Sequence, residues 1–152
     1  MKSCTNWARS PNSPYDEDAA SKECMAADNF SITKTTKGKL PRLPFAAIKD
    51  AVIGKSYNVS LVFIGDKRAQ FLNRAYRRTS YIPNVLSFLL SKKEGEIFLN
   101  ARQAKREAKR DSVSYRSYVG FLFIHGLLHL KGNSHGSTMD VLELQYRKRF
   151  SL

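Results

Sequence analysis

Acidic side chains are scarce in this chain: 13 Asp and Glu stand against 26 Lys and Arg, a formal net charge of +13 with an isoelectric point near 10.0. That balance is silent about fold but favours polyanionic partners, whether RNA, DNA or an acidic membrane. Cysteine is rarer still. Cys4 and Cys24 both lie near the start, which excludes a disulfide framework and fits a reducing compartment. The longest apolar run, YVGFLFIHGLLHL, has thirteen residues and carries two histidines, too short to span a bilayer. The opening MKSCTNWARSPNSPYDED contains no apolar core of a secretory signal. The expectation is a cytoplasmic protein that does not enter a membrane.

What is present suits one globular domain: 42% apolar and 11% aromatic residues over 152 positions. Residues 1–29, rich in Ser, Pro, Asn, Asp and Ala without apolar periodicity, read as a disordered tail holding three basic and five acidic side chains. Residues 30–152 read as the single functional domain, with 23 basic side chains against eight acidic, a net of +15. Met25 opens the more orderly part, so a translation start there is a further expectation.

Periodicity predicts the order β-α-β-α-β-β-α-α-α, an α+β domain in which about four strands form a small mixed sheet covered by helices. FSITKT from Phe30 alternates as a strand, and Phe45, Ile48 and Val52 mark one side of a helix after Pro41 and Pro44. Tyr57 to Ile64 is a strand with Val59, Leu61 and Phe63 facing one way. Asp66 is placed to cap a helix over KRAQFLNRAYR, with Phe71, Leu72 and Ala75 turned inward. VLSFLL (85–90) and EIFLN (96–100) read as a hairpin, after which Asn100 caps ARQAKREAKR and Gln103 is placed to complete a capping box. The helix from about Ser114 to Leu130 is apolar nearly all round and must be central. Gly132 stops it, and MDVLELQYRKRF closes the chain as an amphipathic helix. Tyr115, Tyr118, Phe121 and Phe123, at helical spacing beside Val119 and Leu122, read as core rather than as a base-stacking surface.

All three histidines fall within eleven residues, in HGLLHLKGNSH. His125 and His129 are one helical turn apart, so both rings leave the same face. Burial of that helix favours the neutral imidazole, which is the form that binds metal. His135 lies beyond the Gly132 break, where a turn can fold it back onto the first two. Three nitrogen ligands leave one tetrahedral position open, as in catalytic rather than structural zinc sites. The spacing equals that of metzincin proteases, but Gly126 stands where those enzymes need a general-base Glu, and Met139 follows too closely for their Met-turn. A metallopeptidase therefore lacks its proton acceptor.

HGLLHLKGNSH, with LNRAYRRTSYIPNVLSF upstream and GEIFLN between, resembles the YbeY family of metal-dependent endoribonucleases, over roughly residues 30–150. The resemblance implies a single-strand-type endoribonuclease acting in maturation of small-subunit (16S) rRNA and in ribosome quality control. It implies rRNA and the small ribosomal subunit as partners, with ribosomal proteins or an assembly GTPase beside them. It also implies one zinc ion, or nickel or another divalent transition metal, on His125, His129 and His135. Arg77 would be the functional arginine, and Asn84, Ser87 and Phe88 would lie on the strand lining the cleft. The chain departs from the family at Asn133-Ser134, where Tyr-Asp is usual, at Gly95-Glu96, where Gly-Asp is usual, and in RTSYIP after Arg77. Loss of the Tyr-Asp carboxylate predicts weaker support for the ligand imidazoles.

The residues read the same way by their chemistry. Arg77 can grip a phosphate bidentately and stabilise charge on a pentavalent transition state. AKREAKR (104–110), Lys92-Lys93 and RKR (147–149) together point to RNA contact, with Arg102, Arg106, Lys109 and Arg110 able to track phosphates. A non-catalytic RNA-binding or ribosome-associated factor with a structural metal is the rival reading. No general base stands out.

Overall fold

The computed structural model describes residues 24–27 and 29–152. Its sheet has five strands: β1 (Cys24–Ala27), β2 (Phe30–Lys34), β3 (Asn58–Ile64), β4 (Val85–Ser91) and β5 (Glu94–Asn100). Their order across the sheet is β1-β2-β3-β5-β4, with β2, β3 and β5 parallel and both edge strands antiparallel to their neighbours. The α+β class and mixed sheet are as expected. The fifth strand is β1, which lies within the stretch read as tail; the rest of that stretch, with Cys4, falls outside the described residues as far as residue 23. A four-residue strand of mixed composition gives no alternation long enough to recognise.

Both faces of the sheet are covered. Val59, Leu61, Phe63, Ile97 and Leu99 point into the main core beneath α1 (Phe45–Ile53) and α4 (Tyr115–Leu130). Val62, Ile64, Leu86 and Phe98 point the other way, onto Ala69 and Leu72 of α2 (Asp66–Arg77). Helices α3 (Ala101–Arg110) and α5 (Ser137–Arg149) pack beside α4. No helix among the described residues is long and apolar enough to cross a membrane.

Several local expectations shift. Asp66 is the first residue of α2 rather than its cap, and its carboxylate accepts from Asn100 Nδ2 and Arg106 at 2.9 and 2.7 Å. That tertiary pull outcompetes a local cap, while the negative charge still suits the helix start. Phe71 and Ala75 are exposed, because α2 seats on the sheet through Ala69, Leu72 and Asn73. Asn100 does cap α3, accepting from the N–H groups of Arg102 and Gln103. The reciprocal half of the box is absent: Asn100 N–H bonds to Asn84 O, and the Gln103 amide donates to Glu107.

Gly126 explains how closely the sheet approaches α4. A Cβ there would sit 3.0 Å from Ser87 Oγ and 3.1 Å from Ile97 Cγ2, and Ile97 is fully buried. Alanine gains about 1 kcal/mol of helix propensity over glycine, but overpacking a closed core costs about 1–3 kcal/mol. Gly126→Ala is expected to lower the urea midpoint; an unchanged or raised midpoint would show that the contact is slack.

Candidate metal centre

Helix α4 is sealed on most sides, with Leu122, Phe123, Ile124, Gly126, Leu127 and Leu128 buried, while His125 and His129 lie on its one incompletely covered stripe. The helix ends at Gly132, whose φ of +98° only glycine adopts cheaply. The N–H groups of Gly132 and Asn133 close onto the carbonyls of His129 and Leu128, a glycine-dependent terminus. The reversed chain then brings His135 over the pair. Ring centroids lie 4.6 Å apart for His125–His129, 4.6 Å for His129–His135 and 5.1 Å for His125–His135. One nitrogen from each ring lies within 4.8 Å of the others.

The outward nitrogens of the first two rings are tied off. His125 Nδ1 is 2.6 Å from Glu143 Oε1, and His129 Nδ1 is 3.1 Å from Asn133 O. A carboxylate and a carbonyl accept, so both Nδ1 atoms carry the protons and both Nε2 atoms present lone pairs. Those Nε2 atoms are 3.1 Å apart. Tetrahedral zinc with Zn–N of about 2.0–2.1 Å spaces its ligand nitrogens by about 3.3 Å, so the donor set fits one divalent ion. Burial, then the neighbouring His125, His135 and Arg77, lowers the pKa of His129 and keeps it in the ligating neutral form.

Glu143 is the site residue that sequence reading missed. It sits on the inward side of α5 near Met139, Leu142 and Tyr146, which pack against the core. A carboxylate on an apolar helix face was the available signal. It gives the His125 ring a carboxylate partner, while His129 takes a backbone carbonyl that any residue at 133 provides.

The other expected residues separate. Arg77, exposed at the end of α2, is near enough for its charge to act on His129. Ser87 faces α4, its hydroxyl donating to Gly126 O at 3.2 Å, one residue from His125. Phe88 points to the opposite side of the sheet, tilted against Tyr76 and edge-on to Phe98, because side chains alternate along β4. Asn84 donates to Glu107 Oε2 at 2.7 Å. The Asn73 amide holds Tyr81 O, and Gln70 holds Ser80 O, so the loop after Arg77 is anchored by α2 itself. A depression of about 490 Å³ beside that loop is lined by Arg74, Arg78, Thr79, Ser80 and Tyr81. On α3, Arg106 is paired with Asp66 and Arg110 with Asp111, leaving Arg102 and Lys109 as the more available cations of that face.

Glu107 ties β4, α3 and α4 together. Burial raises its pKa, but hydrogen bonds from Asn84, Gln103 and Tyr118 outweigh burial and the net shift is downward. Burial and the Glu107 bond push Tyr118 up to about 12. A carboxyl with a lowered folded pKa stabilises above its unfolded value and loses that contribution as pH falls through the folded one. The stability gap between parent and Glu107→Gln should therefore be widest at neutral pH and close on acidification, read from urea midpoints across pH. For the metal, Glu143→Gln should weaken binding about 10–100-fold with the fold retained, measured by chelator competition; unaltered affinity would leave Glu143 a packing residue.

A family profile described as endoribonuclease YbeY matches residues 25–152. Curated proteins named endoribonuclease YbeY are similar: from Mycoplasma mycoides subsp. mycoides, 39% identical over 93 residues, 54% of this chain and 57% of that protein; from Alkaliphilus metalliredigens, 34% over 107 residues, 63% and 69%. One from Endomicrobium trichonymphae is 35% identical over 115 residues, 71% of this chain and 81% of that protein. The match thus spans little more than half the length of the Mycoplasma relative. A solution structure of a Thermotoga maritima protein superposes with a TM-score of 0.51 at 23% identity, covering 66% of this chain and 71% of that one, a likeness of fold. With three histidines on one ion-sized centre and a profile match over most of its length, the chain belongs to the endoribonuclease YbeY family.

Proposed function

We propose that this chain is a metal-dependent endoribonuclease that cuts single-stranded segments of small-subunit rRNA during maturation and ribosome quality control. The observation that carries the reading is the convergence of His125 and His129 Nε2 atoms, with exposed His135, at the rim of a strongly basic domain. The place of action is the cytoplasm, with the small ribosomal subunit, its proteins or an assembly GTPase as partners. Zinc suits three imidazoles, and nickel shares that preference.

An ion held by three imidazoles supplies a Lewis acid with an open coordination position. The chain does the rest. Exposed Arg74, Arg77 and Arg78 draw the phosphate backbone toward the rim. Arg77 grips the scissile phosphate and stabilises the charge that builds on its oxygens. Asn84, its amide nitrogen fixed by Glu107, offers Oδ1 to a ribose hydroxyl, and Ser87 offers its remaining lone pairs beside it. Peptide cleavage finds no carboxylate at position 126, where even a Cβ is crowded.

The test is cleavage of a single-stranded rRNA fragment by zinc-loaded full-length protein before and after chelation. His129→Ala should lose both the ion and cleavage while circular dichroism stays native. Arg77→Gln should lower kcat about 10²–10³-fold with metal content unchanged. Unfolding on chelation would favour a structural metal in a binding factor, and chelator-resistant cleavage would overturn the reading.

A further inference from the structure

The incompletely covered stripe of α4 does not stop at the histidines. Phe121 and Tyr118 continue it toward the helix start, each only partly buried, and Phe121 lies 5.9 Å from the His125 ring. Tyr118 and Phe121 are 6.0 Å apart. Over Phe121 sits the guanidinium of Arg147 from α5, 5.4 Å from the ring centroid. Arg147 is one turn beyond Glu143, so α5 supports the metal ligand and places a cation beside it.

Arg147 differs from the arginines that polar partners fix, and shares its place over a ring with Arg149, which sits over Phe150 away from the histidines along α5. Arg106 and Arg110 are paired with carboxylates, and Arg116 donates to the carbonyls of Arg42 and Ser151. The Arg147 side chain forms no ion pair or hydrogen bond among the described residues, and its Nε is buried without a partner. Glu143, the acid nearest along its helix, is engaged by His125. Its guanidinium carbon lies over the aromatic ring, and its terminal nitrogens have no hydrogen-bond partner among the described residues. A guanidinium fixed by a ring rather than by an acid retains its full charge for an incoming anion.

We infer that Arg147, oriented by Phe121, forms a nucleotide subsite next to the metal centre and takes the phosphate of the ribonucleotide adjacent to the one being cleaved. The inference rests on the endoribonuclease reading and adds a direction to it: RNA runs from the histidines along α4 toward Tyr118. Unstacked bases of a single strand can lie against a guanidinium plane or an aromatic edge, which a paired helix cannot offer. Arg147 is a binding residue here, with no part in the chemical step.

The experiment uses zinc-loaded full-length protein and two probes, a cleavable single-stranded oligoribonucleotide and its non-cleavable 2′-O-methyl counterpart. Arg147→Met keeps the aliphatic packing and removes the cation. It should raise KM, and the Kd for the 2′-O-methyl strand, about tenfold, lower the salt slope of binding by about one, and leave kcat and zinc content unchanged. Phe121→Leu should raise KM in the same direction, with zinc content unchanged. Lys37→Met, on the loop after β2 at the other end of the sheet, is the charge control. Equal losses in Lys37→Met and Arg147→Met, or an unchanged KM, Kd and salt slope in Arg147→Met, would overturn the subsite. Tight binding of the 2′-O-methyl strand that depends on Arg147, without any cleavage by the parent, would sink the nuclease reading and leave the subsite standing.

Discussion

Two imidazole lone pairs facing each other across 3.1 Å repel, and this fold holds them there by fastening the far side of each ring. Glu143 and the Asn133 carbonyl fix the tautomers; the buried body of α4 fixes the helix that carries the rings. Each restraint comes from a different part of the chain, and each aims donors at one point. A cation between them turns the repulsion into coordination.

The rest of the architecture can be understood as what keeps that helix in place. Parallel β3 and β5 present continuous apolar runs over their second halves, Leu61–Ile64 and Ile97–Leu99, as strands covered on both sides must. Gly126 lets β4 and β5 approach α4 until Ser87 reaches its backbone. Glu107 gathers Asn84, Gln103 and Tyr118, so the start of β4 cannot drift from α3 and α4. On the opposite face, α2 delivers Arg77 to the rim, and Asn73 and Gln70 hold the loop that follows.

Much of this was legible in the residues. The i, i+4 histidines, the glycine that ends their helix and the third ring beyond it are local signals, and local geometry decides them. The four strands from Phe30 onward and all five helices follow from periodicity for the same reason. What escaped depends on partners distant in sequence. Glu143 meets His125 across 18 positions, and Asp66 meets Arg106 across 40, so neither contact is written in any short window. Phe71 reads as inward because it is apolar; the seating of α2 through the smaller Ala69 and the polar Asn73 depends on the sheet beneath it. Phe88 shares β4 with Ser87, as expected, and alternation turns its ring to the opposite face of the sheet.

The central claim is that three imidazoles ligate one ion and leave a coordination position open. X-ray absorption on the zinc-reconstituted chain, with elemental analysis of the same sample, reads this directly. The account predicts one zinc per chain, with three nitrogen donors at about 2.0–2.1 Å and one exchangeable oxygen. A shell with fewer than three imidazoles, or a closed shell with no exchangeable ligand, would contradict it.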